Sequence, residues 1–150
     1  MRIVVQRVSS AAVRVAGVTR GRIGSGLVVL LGIEGTDLDE DIEWLAGKLV
    51  RLRIFDNAEG VMDQAVTEAD RGILLISQFT LLASTRKGNR PSWHRAAPPE
   101  VAGPIYHRFH RHLEELLGRP VATGVFGAEM QVDLVNDGPV TLLLDSRLRE

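Results

Sequence analysis

The chain is organised around one stretch near its C-terminus, Asn136-Asp137-Gly138-Pro139-Val140-Thr141, which lies between two apolar runs. Asn, Asp, Gly and Pro all favour turns, so the stretch predicts a tight turn between two strands. The Gly-Pro pair also fits a second interpretation, a cis peptide bond whose flanking carbonyls point the same way and could hold an ammonium group. Only about 5% of X-Pro bonds in folded proteins are cis, so the rest of the chain must decide between the two.

Length and composition predict one globular domain over residues 1–150. The hydrophobic content of 45% is typical of a soluble protein, and a net charge of −1 provides no overall field to attract nucleic acid. The absence of cysteine excludes disulfides and thiolate metal sites. The first residues lack the pattern of a signal peptide, and the longest apolar run, Leu27–Leu31, is too short to span a membrane.

Hydrophobic periodicity predicts an α/β fold with two main helices. Apolar residues recur at helical spacing over residues 39–52 and from about Pro99 to Leu117, where Gly118 ends the second helix. Short runs rich in apolar and β-branched residues predict strands, and the run Leu27–Ile33 is expected to be buried on both faces. The predicted strands cover residues 2–8, 12–15, 18–23, 27–33, 72–82, 129–135 and 140–144.

Polar side chains interrupt the second strongly apolar strand near its end. The run from Gly72 to Leu82 begins purely apolar and then contains Ser77, Gln78 and Thr80. On a strand, Gln78 and Thr80 would share one face and Ser77 would lie on the other. Polar groups at the end of a buried strand must find partners or bind a ligand, so this segment is a candidate site.

A basic loop, residues 84–98, follows that strand. Between Arg71 and Pro99 the chain has no acidic residue and five basic ones, four of which lie in this loop. The loop is either a solvated, mobile segment or a lid or binding loop, since unstructured loops of this length are uncommon in compact domains.

Other chemistries find little support. His107 and His110 lie about 60° apart around a helix and His112 points away from both, so three ligands on one ion are not expected. The segment Gly24–Gly26 precedes a strand rather than a helix, which is the wrong order for a phosphate-binding turn. Ser77 does not lie in a Gly-x-Ser-x-Gly elbow. The residues imply no cofactor and no metal, and by themselves they leave the function open.

Two motifs together resemble the D-aminoacyl-tRNA deacylase family. They are Ser77-Gln78-Phe79-Thr80-Leu81 and the Gly-Pro stretch Asn136–Thr141 near the C-terminus. Four further segments are similar to the family in the same order, so the resemblance covers nearly the whole chain. These segments are Met1–Ala11, Lys87–Ser92, Ala97–Glu100 and Gly124–Met130.

This resemblance implies a fold and a function. The expected fold is a partly closed barrel of mixed, mostly antiparallel sheets with two main helices. The expected protein is a cytoplasmic homodimer that hydrolyses the ester joining a D-amino acid to the 3′ end of tRNA, with glycyl-tRNA as a further substrate. Neither DNA nor a membrane is an expected partner. The Gly138-Pro139 bond is expected to be cis and to reach into the partner subunit's site, where it rejects L-amino acids.

The resemblance also assigns roles to individual residues. Ser77, Gln78, Phe79 and Thr80 would form the catalytic segment, in which the Phe79 amide holds the ester carbonyl. Thr80 would be either a nucleophile or an orienting group, and water assisted by the 2′-hydroxyl of tRNA is preferred because the sequence shows no base near Thr80. Two other sets complete the site: adenosine contacts at Ala102, Phe126 and Met130, and phosphate contacts at Arg86, Lys87 and Arg90.

One segment departs from the family, because Trp93-His94-Arg95 is bulkier and more basic than the small, polar stretch expected there. Two alternatives to the deacylase also stay open. The first is a dimeric nucleic-acid-binding module without catalysis, which would use the basic loop. The second is an unrelated small hydrolase with Thr80 as its nucleophile.

Overall fold

A computed structural model describes residues 1–149 of the chain. Strands and helices follow one another in the order β1 Arg2–Val15, β2 Val18–Ile23, β3 Gly26–Gly32, α1 Asp39–Val50, β4 Phe55–Asp56, β5 Met62–Gln64, β6 Gly72–Ser77, a 3₁₀ helix Phe79–Leu82, α2 Pro99–Leu117, β7 Ala122–Thr123 and β8 Gln131–Asp145. None of the helices within these residues is long and apolar enough to cross a membrane.

The main sheet is built around β1. Its strand order is β2-β1-β3-β6-β7, and β8 also pairs with β1, while β4 and β5 form a separate two-stranded ribbon. All pairs that involve β1 are antiparallel, whereas β3–β6 and β6–β7 are parallel. The result is a nearly closed, barrel-like mixed sheet with two helices, which confirms the predicted fold class.

The core lies on both faces of the sheet because side chains alternate along each strand. On β3, Leu27, Val29 and Leu31 pack on the side that faces the helices, whereas Val28 joins a smaller cluster on the opposite side. The prediction that β3 is buried on both faces is therefore confirmed. The helices α1 and α2 contribute their apolar stripes to the larger cluster, and α2 ends at Gly118, whose φ of 72° is left-handed.

The predicted strand 72–82 is too long. The strand β6 ends at Ser77 because its neighbour β3 ends at Gly32, so no partner continues beyond that point. The Gln78 amide makes a last bond to the Leu31 carbonyl at 2.7 Å, and the chain then curls into the 3₁₀ helix Phe79–Leu82, hereafter the site turn. The predicted alternation of faces across residues 77–81 was therefore wrong.

The tight turn predicted at residues 136–141 is a bulge within one long strand. Gln6 of β1 pairs with Thr141 and Val8 pairs with Asn136, so four residues of β8, 137–140, stand opposite Arg7 alone. Both halves of β8 continue along the same neighbour, so the segment does not reverse the chain. The Gly138-Pro139 peptide bond is cis, as the family resemblance implied.

An ion pair joins the ends of β1 and β8. The Arg2 guanidinium donates from Nε at 3.0 Å and from Nη2 at 2.9 Å to the same carboxylate oxygen of Asp145. Burial opposes ionisation of Asp145, but hydrogen bonds from the Arg147 amide and from Arg2 outweigh burial and hold the pKa of this carboxyl below its ordinary value.

This lowered pKa predicts how stability depends on pH. Because the folded pKa lies below the unfolded value of about 3.9, the stabilisation is present above about pH 4 and is lost as pH falls through the folded pKa. We expect Asp145→Asn to lower the free energy of unfolding at pH 7 by about 2 kcal/mol. The variant should lose less further stability than wild type between pH 5 and pH 2, measured by urea unfolding. Parallel acid dependence in the two proteins would contradict this assignment.

Candidate active site

An apolar cavity of about 380 Å³ opens where the ends of β3 and β6 meet the site turn, the basic loop and the first turn of α2. Ser77, Gln78 and Phe79 form one side, and Ala102 and Phe126 form another. The fold thus brings together residues from three of the predicted segments. None of the described residues that line the cavity carries a carboxylate or an imidazole.

The site turn presents backbone donors beside this cavity. Within residues 1–149, the amides of Phe79 and Thr80 have no hydrogen-bond acceptor, as expected for the first residues of a helix. Gln78 Nε2 donates to Thr80 Oγ1, so the threonine hydroxyl acts as an acceptor there and keeps its own proton for another partner. The turn is therefore a source of neutral donors rather than of a base.

Gly32 sets the position of the site turn against the end of β3. A Cβ built on Gly32 would lie 3.1 Å from Leu81 Cβ and 3.3 Å from the Gln78 carbonyl oxygen. Such contacts are tighter than ordinary van der Waals packing, so the turn rests directly on the backbone of β3.

Trp93 is a cavity residue that sequence reasoning did not place. Its ring meets Phe79 edge-on, with centroids 5.4 Å apart and planes at 80°, and both side chains are substantially exposed, at 40% for Trp93 and 55% for Phe79. The departure from the family at residues 93–95 is the only sequence signal for this position. The structure puts this departure in the wall of the cavity.

The basic loop is anchored on both sides of Trp93. Ser84 and Ser92 exchange two backbone hydrogen bonds of 2.9 Å, and the Ala97 amide donates to the Ile33 carbonyl at 2.9 Å. Arg95 forms an ion pair of 2.6 Å with Glu34. These contacts close the loop on itself and tie its second half to residues 33 and 34, which directly follow β3.

The three cations proposed to meet phosphate are free for that task. Arg86, Lys87 and Arg90 are exposed and form no ion pair or side-chain hydrogen bond with any residue in 1–149. The loop's remaining cation, Arg95, is engaged by Glu34, so it is a structural residue.

Phe126 and Met130 occupy different surroundings. Phe126 packs against Tyr106 with ring centroids 5.5 Å apart, and the Tyr106 hydroxyl donates to the Leu75 carbonyl at 3.0 Å. Burial raises the pKa of Tyr106, so the phenol stays neutral. The Tyr106 ring thereby supports Phe126 on its side of the cavity. Met130 instead packs in the smaller core cluster, close to Gly124, and does not line the cavity.

Arg7 holds the Gly138-Pro139 segment from behind. Its buried guanidinium donates from Nε to the Asp137 carbonyl at 3.0 Å and from Nη1 to the Ile54 carbonyl at 2.8 Å. The side chain of Asn136 accepts from the Val140 amide at 3.0 Å. The segment itself is exposed and does not line the cavity of its own chain.

The helix histidines have ordinary surroundings. The His110 ring lies 2.9 Å from the Val121 carbonyl, and His112 lies 3.4 Å from Glu115. Among residues 1–149 no group of three or more His, Cys, Asp or Glu side chains is arranged to hold a metal ion.

Comparisons with known proteins agree on one family. A family model described as D-Tyr-tRNA(Tyr) deacylase matches residues 4–145. A D-aminoacyl-tRNA deacylase from Opitutus terrae is 58% identical over 150 residues, which cover 100% of both chains.

Two solved structures are also similar. A c-Myc DNA unwinding element binding protein has a TM-score of 0.91 at 41% identity, covering 97% of this chain and 98% of that one. A probable eukaryotic D-amino acid tRNA deacylase has a TM-score of 0.82 at 20% identity, covering 95% of this chain and 97% of the other. At that identity the second structure supports the fold alone.

Proposed function

The chain belongs to the D-Tyr-tRNA(Tyr) deacylase family, and from this membership we propose that it is an enzyme that hydrolyses the ester between a D-amino acid and the 3′ end of tRNA. One observation links this proposed activity to particular residues of the chain. Three residues of the family motif, Ser77, Gln78 and Phe79, line an apolar cavity, and within residues 1–149 the Phe79 amide has no hydrogen-bond acceptor. We further propose that residues 1–150 act as one domain in the cytoplasm.

The cavity would take the terminal adenosine and the ester. Its apolar sides at Phe126, Ala102 and Trp93 suit a planar base, because aromatic rings stack on bases without regard to sequence. Met130 would support this region through the neighbouring core rather than through direct contact. Arg86, Lys87 and Arg90 would meet tRNA phosphates, which position the ligand and make binding sensitive to salt.

Hydrolysis would use backbone electrostatics. The Phe79 amide would donate to the ester carbonyl oxygen as negative charge develops there, the role of an oxyanion hole. Water would attack the carbonyl carbon with help from the 2′-hydroxyl of the terminal adenosine. The bond to the 3′ oxygen then breaks, and that oxygen takes a proton. Thr80 and Gln78 would orient groups in this step, and Ser77 would shape the wall.

Selection of D- over L-amino acids would depend on a second subunit. The exposed Gly138-Pro139 main chain would enter the partner's cavity, face the α-amino group and leave no room for an L side chain. Because the clash with this main chain depends only on the position of Cβ, many D-amino acids would be accepted. Glycine, which has no Cβ, would be accepted as well. Two features of β8 support a homodimer: it pairs only with β1 among the described strands, and it exposes Val135 at 57% and Leu143 at 61%.

The direct test compares the two hands of one substrate. We expect purified protein to hydrolyse D-Tyr-tRNA and to leave L-Tyr-tRNA intact, and we expect Gly138→Ala to lower the D rate by about 100-fold. The reason is that a Cβ at Gly138 would lie 2.8 Å from Val140 Cγ2 and 3.1 Å from Arg7 Nη2, with φ at +131°. Release of labelled tyrosine measures both rates.

The matched control is Gly35→Ala, whose Cβ would meet nothing within 4 Å. It should behave as wild type. Equal hydrolysis of both hands, or of neither, would overturn the proposed function. Salt-sensitive RNA binding without turnover would instead favour the non-catalytic binding module.

The role of Thr80 can be tested separately. We expect Thr80→Ala to keep kcat for D-Tyr-tRNA within about tenfold of wild type, because none of the described residues that line the cavity is a base that could activate the hydroxyl. Removal of a covalent nucleophile would instead cost on the order of 10⁴-fold or more. Such a loss of kcat in a variant that keeps the wild-type melting temperature would favour the alternative, an unrelated small hydrolase with Thr80 as its nucleophile.

A further inference from the structure

The site turn is a short element that needs support from outside. It spans only four residues and is held by two bonds of the 3₁₀ type, 3.2 Å from the Leu81 amide to the Gln78 carbonyl and 3.1 Å from the Ala83 amide to the Thr80 carbonyl. Bonds of the 3₁₀ type have poorer geometry than those of an α-helix. The placement of the Phe79 amide therefore depends on what holds the turn at its two ends.

One end is held by β3 and the other by Arg2. At the start of the turn, the Gln78 amide donates to the Leu31 carbonyl at 2.7 Å. At the far end, Arg2 Nη1 donates to the Leu81 carbonyl at 3.0 Å. Gly32 lies directly beneath both ends, since a Cβ there would be 3.1 Å from Leu81 Cβ and 3.3 Å from the Gln78 carbonyl oxygen.

The direction of the Arg2 contact is fixed by Asp145. The other two nitrogens of the guanidinium, Nε and Nη2, both bind one carboxylate oxygen of Asp145, and the second oxygen accepts from the Arg147 amide at 2.9 Å. The side chains of Arg2 and Asp145 are only 21% and 8% exposed, so water competes weakly. Since a guanidinium is planar, these contacts aim Nη1 at Leu81.

We infer that Arg2 and Asp145 are positioning residues for the hydrolytic step. Together they form a clamp that joins the ends of β1 and β8 to the far end of the site turn. This inference rests on the proposed function. The clamp acts through the turn rather than by touching substrate, so it governs how well the Phe79 amide meets the developing oxyanion. It does not involve the Gly138-Pro139 segment, and the preference for D over L is therefore independent of it.

Arg14 and Asp133 provide a matched control. This second Arg–Asp pair, with an N–O distance of 2.9 Å, also joins β1 to β8 but makes no contact with the site turn. The experiment compares Arg2→Gln, Arg2→Lys and Asp145→Asn with Arg14→Gln. It measures hydrogen exchange of residues 78–83 in the free proteins, then kcat, KM and melting temperature with D-Tyr-tRNA as substrate.

The clamp predicts faster exchange across residues 78–83 in both Arg2 variants and in Asp145→Asn, but not in Arg14→Gln. It also predicts that kcat falls by about tenfold or more while KM and the D-over-L preference stay near wild type. Lysine at position 2 should not rescue kcat, because a single ammonium cannot bind Asp145 and Leu81 with the same planar geometry.

Three outcomes would overturn the inference: unchanged exchange in the turn, unchanged kcat in a folded Arg2→Gln protein, or an equal loss of kcat in Arg14→Gln. A wild-type protein that does not hydrolyse D-Tyr-tRNA would refute the proposed function instead. The exchange measurement needs no substrate, so it still decides whether Arg2 holds the turn.

Discussion

The interrupted pairing of β8 with β1 is the constraint on which the rest of the structure depends. The strand β1 supplies the centre of the sheet, and β8 follows it on both sides of Arg7. At Arg7 the ladder is broken, and a buried guanidinium replaces the missing strand bonds by binding the Asp137 and Ile54 carbonyls. A buried guanidinium without acceptors would be costly, so the Asp137 carbonyl of the bulge satisfies Arg7 while Arg7 holds the bulge in place. The Gly138-Pro139 segment is consequently presented outward on a rigid strand.

The candidate site is notable for using groups that are not chemically reactive. Its cavity is lined by apolar side chains, a hydroxyl, an amide and backbone N–H groups, with neither a carboxylate nor an imidazole among the described lining residues. The proposed mechanism therefore relies on placement and preorganised dipoles, which is the kind of catalysis that depends most on small displacements. This gives a physical reason for the close support of the site turn by Gly32 and Arg2.

The sequence predicted the elements whose signals are local. The continuous apolar run Leu27–Ile33 identified β3, because a strand that is buried on both faces is apolar throughout. The helical stripe that ends at Gly118 identified α2, because a helix with one buried face leaves a period of about 3.6 residues in the sequence. The strand prediction extended into the site turn because Phe79, Leu81 and Leu82 are apolar, and only the end of the neighbouring β3 shows that no partner remains. The contact between Arg2 and Asp145 spans 143 positions and leaves no local pattern. The resemblance to a family named Ser77, Gln78, Phe79, Ala102 and Phe126, which line the cavity, and also Met130, which does not. It could not place Trp93, where this chain departs from the family.

The central claim is that one subunit's Gly138-Pro139 segment serves the other subunit's cavity, and a mixed dimer tests it most directly. One subunit carries Gly138→Ala, and the other carries Ala102→Trp, which fills the cavity that Ala102 lines. If the segment acts across the interface, the first subunit keeps an open cavity served by an intact segment. The purified heterodimer should then hydrolyse D-Tyr-tRNA at about half the wild-type rate, with each variant homodimer nearly inactive. A heterodimer as inactive as both homodimers would show that each segment serves its own chain, and would contradict the account.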